Sequence, residues 1–99
     1  ITRRKFTEFH ILDGTTLGEY PDAMRIVARK HHVPLIDMYE TTQALISSLG
    51  EEESVRFYLH LKPDEHINYP EGVIDNTHLN REGAELFASL IALELNKHI

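Results

Sequence analysis

Asp75-Asn76-Thr77-His78 is the stretch of this sequence best suited to moving a proton. Residues three apart stand about one helical turn from each other, so the carboxylate and the imidazole can point the same way. Asp75 would then accept the N–H of one ring nitrogen of His78, fixing the tautomer and leaving the other nitrogen to draw a proton from a hydroxyl nucleophile. That is two thirds of a nucleophile–base–acid triad. Spacing alone is weak evidence. With seven His in 99 residues an Asp-x-x-His arises readily by chance, and an acid in a first helical turn beside a surface His has the same signature.

Other side chains invite competing chemistry. Seven His suggest a metal, but His31 and His32 are adjacent and diverge on a helix, and no His-Glu-x-x-His spacing is present. Solvated or loop-packed histidines are the simpler account, so no cofactor or metal is expected. His60 and His66 are candidates for the rim of a sugar site, because loops commonly carry ligand contacts. Arg3 and Arg4 could fork onto an acidic sugar carboxylate, although a solvated pair near a chain end is favoured. Glu51-Glu52-Glu53 reads as the acidic first turn of a helix. Asp37 suits either a functional position or a helix cap.

These residues need elements to hold them. Thr2 to Leu17 fits neither the helical nor the strand period and contains Asp13-Gly14, so it is expected to be loop or a short hairpin. Tyr20, Ala23, Met24 and Val27 fall on one helical face, with Pro21 in the first turn, and predict a helix ending near His31. Val33 to Asp37 is a brief apolar run that predicts a buried parallel strand. Thr42, Leu45, Ile46 and Leu49 predict a second helix stopped by Gly50, and 51–58 a third, short one. Lys62 to Thr77 holds Pro63, Asn68, Pro70 and Gly72 and predicts an exposed loop of some fifteen residues, a length usually associated with function. Asn80 is placed to cap a last helix whose stripe runs through Ala84, Phe87, Ala88, Ile91 and Leu95. Its width predicts packing against a sheet. A single strand cannot make that sheet, so the remaining strands are expected elsewhere, upstream of Ile1.

Composition narrows the partners. Ten Lys and Arg against sixteen Asp and Glu give a net charge of −6, which leaves no broad cationic surface for phosphates or anionic lipid. No apolar stretch approaches the roughly 18 to 20 residues that span a bilayer. Nucleic acid and membrane are therefore not expected partners. Without Cys there is no thiolate chemistry and no evidence of redox compartment, so localisation stays open. Ninety-nine residues are one domain at most. Ile1 is not an initiator Met and 1–12 carries no targeting pattern, so the chain is expected to be the later part of a longer protein.

Tyr69-Pro70-Glu71-Gly72-Val73-Ile74-Asp75-Asn76-Thr77-His78-Leu79-Asn80, followed by Glu82-Gly83-Ala84, resembles the last sequence block of the SGNH (GDSL-like) hydrolases, nearest the rhamnogalacturonan acetylesterase-like branch. Arg3-Arg4-Lys5-Phe6, Gly18-Glu19-Tyr20-Pro21-Asp22-Ala23-Met24-Arg25 and Val33-Pro34-Leu35-Ile36-Asp37-Met38 resemble that branch in the same order, so the likeness spans almost the whole chain. It implies a flavodoxin-like three-layer α/β/α fold, of which 1–99 is the C-terminal part with upstream strands missing. It also implies a serine esterase acting on acetylated polysaccharide or oligosaccharide, with Asp75 and His78 as its closing acid–base pair. Leu79 departs from the Phe that often follows this His. The family's Gly-Asp-Ser block and the Gly and Asn of its oxyanion hole have no counterpart here: Asp13-Gly14-Thr15 has the wrong order, and Ser47, Ser48, Ser54 and Ser89 lie on predicted helices. The chain alone is therefore expected to be inactive and to need the missing N-terminal segment. It is also a candidate homo-oligomer, through its unpaired elements. The alternatives are a non-catalytic assembly or binding module on the same scaffold, and a small His-based metal domain.

Overall fold

The computed structural model of the chain describes residues 1–97. In chain order they form α1 (Tyr20–Lys30), α2 (Met38–Glu53), a 3-10 turn (Ser54–Phe57), β1 (Tyr58–Leu61), β2 (Val73–Leu79) and α3 (Arg81–Asn96). The architecture is mixed α/β: three helices and one two-stranded antiparallel sheet.

Local chemistry accounts for most boundaries. Pro21 sits in the first turn of α1, with Asp22 near its start and Arg29 and Lys30 in its last turn, each on the side that complements the helix dipole. The carboxylate of Asp37 accepts the Glu40 N–H at 3.0 Å and caps α2, as the capping reading of that residue expects. It also receives Arg25 Nε at 2.7 Å, and this bond is the main reason its carboxyl titrates below the ordinary range. Gly50 breaks α2 with φ 83° and ψ 176°, a left-handed φ that suits glycine. Helical turn resumes over 51–57, so the expected stop and the short acidic-ended helix after it are both found. Within Thr2 to Leu17, residues 5–13 make a tight hairpin, with Phe6 bridged to Leu12, Thr7 N–H on the Ile11 carbonyl at 2.8 Å and Asp13 N–H on the Lys5 carbonyl at 2.8 Å.

The strands differ from expectation. Val33–Asp37 is not a parallel strand: the segment is irregular, and Val33 is 57% exposed. An apolar run becomes a parallel strand only when a neighbour takes up its N–H and C=O groups, and no such neighbour exists among the described residues. The long loop is shorter than Lys62–Thr77, because β2 begins at Val73 and pairs with β1. Alternation is poor in both strands, so their pairing left little periodic trace.

The core gathers Ile46 of α2, Phe57, Tyr58 of β1 and Phe87 of α3, flanked by Phe6, Leu12, Met38, Leu45, Leu49, Leu79, Leu86 and Leu90. Tyr58 is fully buried and its hydroxyl donates to the Thr2 carbonyl at 2.7 Å, while Thr2 N–H donates to Thr42 Oγ1 at 2.8 Å. Burial raises the Tyr58 phenol to about 12. These bonds draw the N-terminal residues across α2 and β1. The broad apolar stripe of α3 is only half used, because Ile91, Leu93 and Leu95 remain exposed. The radius of gyration, 15.4 Å, exceeds the about 13 Å of a compact 100-residue domain.

Candidate active site

The β1–β2 ladder pairs Leu61 with Val73, His60 with Ile74 and Leu59 with Asp75, then jumps to pair Tyr58 with Leu79. Asn76, Thr77 and His78 are thereby looped out opposite a single step of β1. In a regular strand, residues 75 and 78 would face opposite sides of the sheet. The loop removes that conflict.

Asp75 itself folds the loop. Its Oδ1 accepts the Thr77 N–H at 2.8 Å and the His78 N–H at 2.9 Å, and its Oδ2 lies 2.8 Å from His78 Nδ1. The two backbone bonds are the side-chain mimic of a turn that Asp favours. They bring residues three apart together without a helix, which corrects the helical geometry expected for this pair. The bond from the His78 backbone N–H, the one from Thr77 and then the ring bond lower the Asp75 carboxyl to about 2. A carboxylate only accepts, so Nδ1 of His78 carries the hydrogen, and in the neutral ring the lone pair is on Nε2. The His78 side chain is 75% exposed, and among the described residues no group hydrogen-bonds Nε2. The ring is thus oriented by a carboxylate through Nδ1 and open to solvent at Nε2.

The flanking residues fix where the loop begins and ends. Immediately after it, Asn80 Oδ1 accepts the Gly83 N–H at 2.8 Å and caps α3. Its Nδ2 donates to the carbonyls of Arg56 at 2.7 Å and Tyr58 at 3.1 Å, tying the helix start to the 3-10 turn and β1. Gly83 permits this approach, since a Cβ there would stand 2.1 Å from the Phe57 carbonyl oxygen. On the other side, Arg4 N–H donates to the Asn76 carbonyl at 2.8 Å. Arg4 Nη1 (3.1 Å) and His60 Nε2 (2.7 Å) both meet Asn76 Oδ1.

The remaining candidates separate. Arg4 is half-buried rather than solvated, with Nε on Ser54 Oγ at 3.0 Å and Nη2 on the Glu51 carbonyl; Arg3 is exposed. His60 faces Asn76 and so is committed inside the fold rather than to an outer rim. His66 Nδ1 accepts the Asn68 N–H at 3.1 Å within its own turn. His10 pairs with Glu51 at 2.7 Å. Among the described residues no three His, Asp or Glu are grouped to hold a metal, and no helix is long and apolar enough to cross a membrane. Ser48 and Ser89 donate back to helix carbonyls, and Ser54 is buried against Arg4. The Arg4–Asn76–His60 contacts lay outside what sequence reasoning found. Only the Asn inside the Asp-x-x-His block hinted at them.

No family model matches the chain, and no solved structure matches it. Two curated relatives, both carbohydrate esterases by name, do. The chain is 45% identical over 92 residues to rhamnogalacturonan acetylesterase RhgT of Bacillus subtilis (strain 168), covering 93% of this chain and 39% of that protein. It is 32% identical over 87 residues to the probable rhamnogalacturonan acetylesterase YesY of the same organism, covering 85% of this chain and 36% of that protein. The chain thus spans well under half the length of these relatives. Over that portion it is similar to the rhamnogalacturonan acetylesterase-like family of SGNH hydrolases.

Proposed function

We propose that these 99 residues are the C-terminal, acid–base-bearing part of a single serine esterase domain of flavodoxin-like α/β/α architecture, which removes O-acetyl groups from a polysaccharide or oligosaccharide. The observation that carries this reading is the 2.8 Å contact between Asp75 and His78 with Nε2 left open, in a chain whose relatives are named for that activity.

The serine and the oxyanion donors come from polypeptide outside the 99 residues. His78 Nε2 takes the serine hydroxyl proton as the oxygen adds to the acetyl carbonyl, and Asp75 steadies the imidazolium that forms. Collapse of the tetrahedral intermediate breaks the bond to the sugar oxygen, which receives the proton from Nε2 and departs as the alcohol. Water then adds to the acetyl-serine, giving its proton to Nε2. Acetate leaves as the serine oxygen recovers that proton. A base without nucleophile or oxyanion donors contributes little to acyl transfer, so the 99 residues alone are inactive. Their uncovered apolar faces make them self-associate.

The test compares release of an aryl alcohol from an aryl acetate by the 99-residue chain and by the longer protein that carries it. The reading expects turnover from the longer protein only. Turnover by the short chain, or none by a folded longer protein toward aryl acetate and acetylated pectic polysaccharide alike, would contradict it. The second result would favour a non-catalytic binding module.

A further inference from the structure

The looped-out segment 76–78 has no ladder partners of its own, so something other than the sheet must hold it. Asp75 holds it from one end. From the other, the Asn76 side chain and carbonyl bond two residues distant in sequence, Arg4 and His60.

The atoms involved constrain one another. A guanidinium can only donate, so the Asn76 atom facing Arg4 Nη1 is the carbonyl oxygen Oδ1. His60 Nε2 meets that same oxygen at 2.7 Å, so it too must carry a hydrogen. Oδ1 therefore accepts twice, and the Asn76 backbone carbonyl accepts the Arg4 N–H at 2.8 Å. Arg4 is in turn anchored away from the loop, on Ser54 Oγ and the Glu51 carbonyl at the broken end of α2. All three guanidinium nitrogens are used, which leaves Arg4 poorly placed to bind a sugar carboxylate. Its partial burial lowers its pKa, an effect that the nearby Glu51 carboxylate opposes.

We propose that Arg4, His60 and Asn76 form a positioning unit that clamps the looped-out segment to the α2 end and β1, and so holds the exposed His78 ring in register with Asp75. This rests on the proposed function for its catalytic consequence, but the clamp itself has a readout independent of activity. By analogy with the outer partners that orient metal-ligating imidazoles, worth about 10- to 100-fold, residues one step further from the ring than Asp75 are expected to have an effect of that order, and a displacement near 1 Å costs on the order of 100-fold.

The experiment uses the full-length protein that carries this sequence, labelled with 15N at histidine, with His78 assigned by the signal lost in His78→Ala. The variants are Asn76→Ala, His60→Ala and His60→Gln, the last of which keeps a donor toward Asn76. Each is examined by thermal melting, steady-state kinetics on an aryl acetate, and the ring 15N shifts of His78. In the parent, His78 is expected as the Nδ1–H tautomer. In folded Asn76→Ala, kcat is expected to fall about 10-fold or more with KM within about 2-fold, as ground-state binding is untouched. The His78 tautomer is expected to shift toward Nε2–H. His60→Ala is expected to repeat this more weakly, and His60→Gln to restore the parent behaviour. If Asn76→Ala does not fold, the two His60 variants decide. An unchanged His78 tautomer in folded variants overturns the clamp, whatever happens to kcat. If instead the tautomer shifts while His78→Ala retains parent activity, the clamp stands and the esterase reading falls.

Discussion

The two ends of this chain are finished to different degrees. Around β1, β2 and the start of α3, polar groups are paired within the chain: Asp75 with the loop, Asn76 with Arg4 and His60, Asn80 with the helix it caps and the carbonyls beside it. Around α1 the opposite holds. Tyr20, Met24, Val27 and Val33 are all more than half exposed and line an open apolar groove, and Pro21 is the only buried residue of the helix. The lesson is that the Asp75–His78 contact is encoded locally and forms from residues three positions apart. The α1 flank carries apolar surface that its own chain does not cover, as the enlarged radius of gyration also indicates.

The largest effect that sharpens this contrast lies at the finished end. In the full-length protein, Asp75→Asn leaves an oxygen for the two backbone N–H groups but turns an amide NH2 donor toward Nδ1, which inverts the His78 tautomer, and kcat toward an aryl acetate is expected to fall about 10⁴-fold. A drop below 10-fold would show that the pair is structural. Next comes Gly83→Ala. The new Cβ meets the Phe57 backbone at 2.1 Å, and backbone cannot yield as a side-chain tip can, so a loss of about 1 to 3 kcal/mol is expected in denaturant melts. An unchanged midpoint would mean that α3 does not sit on the 3-10 turn as described.

The α1 flank should respond in the opposite manner. Met24→Ser and Val27→Ser in the 99-residue chain are expected to change stability by less than about 0.5 kcal/mol and to reduce self-association in sedimentation. The same changes in the longer protein are expected to destabilise it, the outcome that covering of this face by further polypeptide requires. Equal effects in both contexts would erase the distinction between the two regions.

The smallest effect is a pH dependence. Asp75 titrates near 2 in the folded chain against an ordinary 3.8. The unfolded state therefore binds more protons in that window, and the contribution of Asp75 to stability is present above about pH 4 and disappears as pH falls through 2. Thermal melts of the parent and Asp75→Asn should differ at pH 5 and converge near pH 2. A difference that persists unchanged at pH 2 would remove the hydrogen-bonded carboxylate from the account.

What the sequence disclosed follows the same division. The helices, the Gly50 break, the Asp37 and Asn80 caps and the Asp75–His78 pair depend on residues within a few positions of each other, and all were legible there. The β1–β2 pairing was not, because it joins segments across an eleven-residue loop with weak alternation. Val33–Asp37 misled for a related reason. Its apolar residues read as a strand, but strand formation depends on a neighbour, which no local pattern reports. Arg4 was read as solvated, whereas its partners Ser54 and Asn76 lie 50 and 72 residues away. The Asp75–His78 contact anticipated from a helical turn forms with a different geometry, since an Asx turn in a looped-out strand, not a helix, brings the two side chains together.

The central claim is that His78 exchanges a proton with a serine and a sugar oxygen. Release of acetate from acetylated rhamnogalacturonan, followed for the full-length protein and its His78→Ala variant at equal folded concentration, tests it most directly. The account predicts that the variant loses at least about 10³-fold in kcat while melting as the parent does; acetate release at the parental rate would contradict it.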